Sequence, residues 1–226
     1  MRENAVVDSG GTVAGKITPA ERRYGGKDAA QRQAERRARF LEAGLDLFGR
    51  APGYRGTSLA EVCRAAGLSS RQFYEEFHAL EDLLADLHRM VHGQAQRAVF
   101  ETLPSIQDLP LAERLERMLH AYVEGAAADP RHARIAYVEV IGVSPRIDLQ
   151  RLERRSTWIG FMTAVTDEAV ARGEIPPADY TIAGAAYIGA VNGLMHDWVV
   201  GWVDATRAEI ADELLQLLLG RYKIAL

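Results

Sequence analysis

Residues 57–78 read TSLAEVCRAAGLSSRQFYEEFH, and they contain two short helical patterns separated by a tight turn. Apolar residues in the first pattern recur at three- and four-residue spacing, the period of one helical face, at Leu59, Val62, Cys63 and Ala66. Gly67 follows at the position where glycine commonly ends a helix. Two helices joined in this way are the layout that lets the second enter the major groove of DNA. Such hairpins also occur in many helical proteins without this role, so the residues of the second helix must decide.

The second helix, SRQFYEEF, is capped by Ser69 and places polar residues at its N-terminal end. Backbone N–H groups and the helix dipole favour phosphate there, while arginine can pair with guanine and glutamine with adenine. We therefore predict that a DNA-reading face is formed by Ser69, Ser70, Arg71 and Gln72. For Thr57 and Ser69 a helix cap is the simpler role, and for Tyr74 and Phe77 a place in the core is an equal alternative.

The sequence on both sides of this stretch is also helical. A helix before it starts at Asp28 and stops at the Pro52-Gly53 break. After it, helical patterns begin at Leu80 and then occupy residues 109–128, 131–142, 147–172, 179–202 and 205–222. No alternating strand pattern is present. The chain is therefore predicted to be all-α, with about nine helices.

Composition and charge divide the chain into three parts. Residues 1–27 are rich in small residues without a period, and we expect a disordered basic arm; residues 28–78 form a helix-turn-helix domain and residues 79–226 a larger helical domain. Residues 1–78 hold 13 Lys and Arg against 10 Asp and Glu, a charge of +3, which leaves −7 for the rest of the total of −4. Positive charge at the front suits phosphate binding, and Arg37 lies in its densest part, QRQAERRARF.

The order of these features resembles the DNA-binding module of the TetR family of bacterial repressors. The resemblance covers about fifty residues, from RRARF at position 36 to LEDLL ending at 84, and rests on AGLDLF, GYRGTS, the AGLS turn and F-Y-x-x-F. It implies that Thr57 and Tyr74 contact phosphate and that Ser70, Arg71 and Gln72 face base edges. It further implies a homodimer, formed by the helices at 179–202 and 205–222, that leaves a palindromic operator when a small molecule binds.

Two positions depart from the family pattern. Leu80 lies where the family often has lysine, and Glu76 lies where it often has an aromatic residue or histidine. Adjacent Glu75 and Glu76 would repel DNA if both faced it. We therefore expect at least one of them to point away or toward an arginine.

The second domain offers candidates for a partly apolar ligand site. Large side chains lie on its middle helices, and two polar residues interrupt apolar runs; the candidates are Tyr122, Tyr137, Glu139, Trp158, Met162 and Asn192. Glu139 is costly to bury unpaired, so it faces solvent, pairs with an arginine such as Arg155, or recognises a ligand.

Rival functions have less support in the sequence. The alternative is a helical small-molecule-binding protein or a metal-dependent enzyme without DNA binding; His88 and His92 are spaced for one metal, but such a pair more often lies on a partly exposed helix face. No catalytic loop motif occurs, so we expect no enzyme activity, metal or cofactor. Cys63 is the only cysteine, and no secretory signal is recognised. Polar residues interrupt the apolar stretch at 182–203, so this stretch does not predict a membrane span. We therefore expect a cytoplasmic protein without membrane contact.

Overall fold

The computed structural model describes residues 28–224, and within them it contains nine α-helices and no strand. The all-α prediction is confirmed for this part of the chain. The first three helices are α1 (Ala29–Phe48), α2 (Leu59–Ala66) and α3 (Ser70–Glu76). The other six are α4 (Leu80–Ile106), α5 (Leu111–Ala127), α6 (Pro130–Arg134), α7 (Pro145–Ala171), α8 (Thr181–Val199) and α9 (Arg207–Tyr222). The arm predicted at residues 1–27 lies outside the described residues.

Helix α2 begins at a reciprocal cap. The Ser58 hydroxyl accepts from the Glu61 backbone N–H at 3.3 Å, and the Glu61 carboxylate accepts from the Ser58 N–H at 2.7 Å. The helix ends at Gly67, whose φ of +61° lies in the left-handed region. The Arg39 guanidinium of α1 donates to the Gly67 carbonyl at 3.1 Å, which holds the turn between α2 and α3 against α1.

An aromatic cluster holds α1 and α3 together. Phe40 contacts Phe73 and Phe77 edge-to-face, with ring centroids 5.2 and 6.2 Å apart, and all three rings are almost fully buried. Helix α3 is too short to be stable alone, so this packing fixes its orientation. Phe77 belongs to the core, whereas Tyr74 is 59% exposed, which separates two residues that the sequence left undecided.

The two parts of the molecule meet along α4 and α6. Leu83 and Leu87, near the start of α4, pack against Gly44 of α1, and the rest of α4 packs along α5. Arg131 of α6 forms ion pairs with Glu42 and Asp46 of α1 at 3.0 and 2.6 Å. The helix-turn-helix is therefore tied to the larger part at more than its sequence junction.

The single helix predicted at residues 131–142 is replaced by α6 and a separate π-helical turn, Ile135–Glu139. A π turn is wider than an α turn, and it directs Glu139 toward the loop between α1 and α2. The described helices include none that is long and apolar enough to cross a membrane.

Candidate functional site

The N-terminal end of α3 combines a helix cap with exposed polar side chains. Ser69 is the cap: its hydroxyl accepts from the Gln72 N–H at 3.3 Å, and the Gln72 side-chain oxygen accepts from the Ser69 N–H at 2.9 Å. Ser70, Arg71 and Tyr74 lie on the open surface, and the Arg71 side chain is 90% exposed. Gln72, predicted to read bases, is instead half-buried and folded back on the cap.

The two glutamates after Tyr74 are neutralised by arginines. The Glu76 side chain is 1% exposed and lies 3.1 Å from the Arg36 guanidinium, while Glu75 lies 3.5 Å from Arg71. This agrees with the expectation that at least one glutamate turns away from the exposed face or toward an arginine. The pairing moderates the repulsion that adjacent carboxylates would otherwise present to a polyanion.

Arg37 does not lie free on the surface. Its guanidinium pairs with Asp86 of α4, donates to the Glu76 carbonyl at 3.0 Å and lies 4.4 Å from the centre of the Phe77 ring. These contacts join α1 to α3 and α4, so the position of Arg37 does not support the prediction that it contacts DNA.

Thr57 is likewise turned inward. It is 8% exposed, and its hydroxyl donates to the Gly53 carbonyl at 2.8 Å. Ser58, not Thr57, caps α2. The prediction that Thr57 contacts phosphate is therefore not supported by its position.

Glu139 connects the larger part to the helix-turn-helix. Its carboxylate accepts from the Tyr54 backbone N–H at 2.7 Å and lies 2.8 Å from the Arg134 guanidinium. Gly53 has φ +81°, and a Cβ there would come within 2.5 Å of both carboxylate oxygens, so the chain approaches Glu139 closely only because residue 53 is glycine. Glu139 is thus an interdomain contact, and its arginine partner is Arg134, not Arg155.

A cavity of about 440 Å³ lies between α4, α5, α7 and α8. Its walls are largely apolar and aromatic, and they include four of the predicted ligand residues: Tyr122, Trp158, Met162 and Asn192. Trp158 contacts Tyr122 edge-to-face at 5.0 Å. The size and lining are those of a site for a small organic molecule.

Tyr137, a fifth predicted ligand residue, lies behind the cavity wall. Its hydroxyl and that of Tyr122 are 2.6 Å apart and hydrogen-bonded. Burial raises the pKa of Tyr122 to about 12 and raises that of Tyr137 well above its ordinary value, so both phenols are neutral. Tyr137 thereby links the cavity wall to the π turn that carries Glu139.

The cavity also has a polar region that the sequence reasoning missed. It is formed by His88 and His92 of α4 and by Asp148, Arg151, Arg154 and Arg155 of α7. His88 is 1% exposed, which corrects the expectation of a partly exposed helix face. Burial and the positive charges of Arg151 and Arg154 lower the pKa of His92 to about 4, and burial, His92 and the same arginines lower that of His88 to about 3.

The spacing of residues in the sequence could have predicted part of this region. One face of a helix carries Arg151, Arg155, Trp158 and Met162, which recur at three- and four-residue intervals. Because Trp158 and Met162 are predicted ligand residues, the same face predicts the two arginines as well. Within the described residues, no group of three or more His, Cys, Asp or Glu side chains is arranged to hold a metal ion.

Solved structures with the same fold include several transcriptional regulators. The fatty acid degradation regulator FadR of Bacillus halodurans matches with a TM-score of 0.71 and 18% identity over 84% of this chain and 97% of its own. FadR of Bacillus subtilis, solved with stearoyl-CoA, matches with a TM-score of 0.67 and 15% identity, covering 80% and 96%. AibR, solved with isovaleryl coenzyme A and operator DNA, matches with a TM-score of 0.61 and 21% identity, covering 80% and 97%. At these identities the likeness shows the fold.

No curated protein matches this chain significantly. The family model for the tetracyclin repressor-like C-terminal domain matches residues 108–221, which is half of the chain and extends from α5 through α8 to the last turn of α9. Together with the helix-turn-helix formed by α2 and α3, this match identifies the chain as a member of the TetR family of transcriptional regulators.

Proposed function

We propose that the protein is a repressor that binds a palindromic operator as a homodimer and leaves it when an amphipathic acyl compound enters the cavity. The observation that carries the proposal is the pairing, in one chain, of an exposed polar α3 N-terminus with a 440 Å³ apolar cavity bordered by arginines. Membership of a family of regulators favours this function over an enzyme, and the cytoplasm is the compartment in which such a regulator meets DNA.

For DNA, we propose that Ser70 and Arg71 face base edges while Tyr74 contacts a phosphate. The exposure of these three side chains supports the assignment, as does the helix N-terminus beneath them. Arg71 is the residue with the reach and donors to pair with guanine. Ser69 and Gln72 take part only if the cap that they form together opens. Arg37 and Thr57 are not assigned to DNA because their polar groups already bond protein groups.

For the ligand, we propose an acyl thioester of coenzyme A or a related compound with an apolar chain and an anionic head. The aromatic and aliphatic walls suit the apolar chain of the ligand. The lining has three arginines and one aspartate, and this excess of positive charge suits the anionic head. Two regulators of the same fold bind such thioesters, stearoyl-CoA in one case and isovaleryl coenzyme A in the other.

Coupling between the cavity and DNA is proposed to run through the π turn. Ala136 of this turn lines the cavity, Tyr137 is hydrogen-bonded to the cavity residue Tyr122, and Glu139 holds the Tyr54 N–H of the helix-turn-helix. A ligand that displaces Tyr122 therefore acts on the contact that sets the position of α2 and α3.

The dimer is proposed to form through α8 and α9. Ile182 and Leu217 are exposed apolar residues on these helices, and Gly184, Gly193 and Gly220 have open space where a Cβ would stand. Small residues allow close approach of a second copy, and a two-fold dimer requires a palindromic operator.

Selection of bound fragments from random double-stranded DNA, followed by anisotropy titration of the selected site, tests the proposal. We expect a palindromic sequence that is released by an acyl-CoA. A variant with Trp158→Ala should bind the same DNA but need more acyl-CoA for release. Absence of any selected sequence at low salt would refute DNA binding.

A further inference from the structure

The polar region of the cavity contains a pair of histidines without an acidic partner. The rings of His88 and His92 are 4.5 Å apart at an interplanar angle of 84°. Within residues 28–224, the imidazole of His92 has no hydrogen-bond partner, and that of His88 is bonded only by the Gln150 side chain. Both histidines line the cavity, so a bound molecule can reach them.

Gln150 of α7 determines which nitrogen of His88 carries the proton. Arg89 is a donor and lies 3.3 Å from the Gln150 side-chain oxygen, so the amide nitrogen faces the Ala85 carbonyl at 3.0 Å and His88 Nδ1 at 2.8 Å. Nδ1 must therefore accept a hydrogen bond, and Nε2 carries the proton. A second proton on Nδ1 would meet the amide hydrogens, so His88 is held as a neutral donor.

His92 has no such restriction, and the charges around it come mainly from α7. Asp148 pairs with Arg151 at 3.2 Å, and the Arg155 guanidinium donates to the Ala185 carbonyl at 2.9 Å. Arg154 has no ion-pair partner among the described residues. Tyr122 of α5 and Tyr187 of α8, the other titratable groups of the lining, are neutral phenols. The cavity therefore contains the Arg154 guanidinium, which no described carboxylate neutralises, near the His92 imidazole, which has no hydrogen-bond partner among the described residues.

We propose that this region is an oxyanion anchor: Arg154 and His88 Nε2–H bind an anionic oxygen of the ligand, and His92 takes up a proton as the ligand binds. The inference rests on the proposed function in placing the ligand in this cavity. The ligand class is narrowed to an apolar chain that bears an oxyanion, which a carboxylate or a phosphate supplies.

Proton uptake follows from the change in charge around His92. Burial and the charges of Arg154 and Arg151 hold the pKa of His92 at about 4. A bound anion reverses the sign of the local field and raises that pKa. Between the two pKa values the bound state holds more protons, so affinity for the anion increases as pH falls.

Decanesulfonate is the probe for this site, because its sulfonate stays ionised from pH 5 to 8, and 1-decanol is the uncharged control. Calorimetry of the full chain in two buffers of different ionisation enthalpy measures the protons taken up. We expect decanesulfonate to bind with proton uptake and its dissociation constant to fall by up to about tenfold per pH unit. Decanol should bind without pH dependence.

Variants separate the anchor from a general effect of pH. His92→Gln should keep decanesulfonate binding but lose the proton uptake, whereas His120→Gln, at an exposed histidine outside the cavity, should keep both. Decanoate and decanoyl-CoA are titrated in the same way. The compound that binds with a proton uptake that His92→Gln abolishes is the one whose oxyanion binds at the anchor.

Two results would overturn the inference. One is decanesulfonate binding no tighter than decanol at pH 6; the other is proton uptake that is unchanged in His92→Gln. Operator release by decanoyl-CoA together with either of these results would refute the anchor and leave the proposed function standing. Failure to bind any operator would refute the proposed function while the calorimetric result still decides the anchor.

Discussion

Single residues on α3 and next to it differ in what their polar groups already contact. Tyr74 and Arg71, which is paired with Glu75 of the same helix, extend into solvent, whereas Arg37 and Glu76 contact groups of other helices. Sequence alone cannot make this distinction, because the contacts between helices join positions about forty or more residues apart. The exposed set is therefore where substitutions should affect DNA binding without affecting folding.

Arg71→Ala should lower affinity for the selected operator by about 1–3 kcal/mol and relax preference at particular base pairs. Tyr74→Phe should weaken all sequences to a similar extent, because a phosphate contact does not depend on the base. Anisotropy titrations with the operator and with single-base variants measure both effects. Arg37→Ala is the contrasting variant: it removes the contacts of α1 with Asp86 and with the Glu76 carbonyl and should lower the melting temperature. Unchanged base preference in Arg71→Ala would contradict the reading role.

The lowered pKa values of His88 and His92 make stability depend on pH at the residue scale. The pKa of His88 is about 3 and that of His92 about 4 in the folded state, below the value of 6.5 expected when unfolded. The unfolded state therefore binds more protons between these values, and stability falls as pH drops below about 6.5. Each histidine should cost up to about 1.4 kcal/mol per pH unit.

Urea unfolding of the protein at pH 7 and pH 5 measures this loss. His92→Gln should reduce the difference between the two pH values, and His120→Gln, at an exposed histidine outside the cavity, is the matched control. An acid-induced loss of the same size in His92→Gln and in the original protein would show that His92 does not titrate as described.

At the scale of elements, helical periodicity predicted the helices closely but failed at the π turn. Predicted helices at 109–128, 147–172 and 205–222 correspond to α5, α7 and α9. The helix predicted at 131–142 is interrupted by the π turn, at whose end Glu139 accepts a hydrogen bond from a backbone N–H of another element. Periodicity describes which face of a helix is apolar and carries no information about such distant polar contacts.

The contact between the π turn and the α1–α2 loop should control the response to ligand. Gly53→Ala places a Cβ 2.5 Å from the Glu139 carboxylate at a φ of +81°, so we expect the contact to break and the coupling between ligand and DNA binding to fall by about 0.5–2 kcal/mol. Glu139→Gln keeps an acceptor for the Tyr54 N–H and should have a smaller effect.

Coupling is measured as the ratio of acyl-CoA affinities with and without bound operator. Gly160→Ala, at a helical glycine with open space around it, is the matched control and should leave the ratio unchanged. Equal ratios in Gly53→Ala and Gly160→Ala would place the coupling path elsewhere.

At the scale of the whole molecule, the sequence predicted the division into a helix-turn-helix and a larger helical part more completely than it predicted the ligand site. The helix-turn-helix was recognisable because its motifs are local. The cavity was predicted only in part, with Tyr122, Trp158, Met162 and Asn192 in its lining and His88 and His92 assigned elsewhere. Its walls come from four helices distant in sequence, and their packing decides which polar residues face inward.

The proposed dimer gives a prediction at this scale. Leu217→Glu places a charge on an exposed apolar position of α9, so we expect monomers in analytical ultracentrifugation and loss of high-affinity operator binding. Leu149→Glu, at a similarly exposed position of α7, should remain dimeric. A Leu217→Glu protein that stays dimeric would argue against an α8 and α9 interface.

The central claim, that occupancy of the cavity controls binding of DNA by α3, is tested most directly by titrating decanoyl-CoA into the protein bound to its selected operator. Release of DNA should be complete at saturation, and Trp158→Ala should shift the midpoint to higher concentration without changing affinity for the free operator. Decanoyl-CoA that binds the protein and leaves the operator affinity unchanged would contradict the claim.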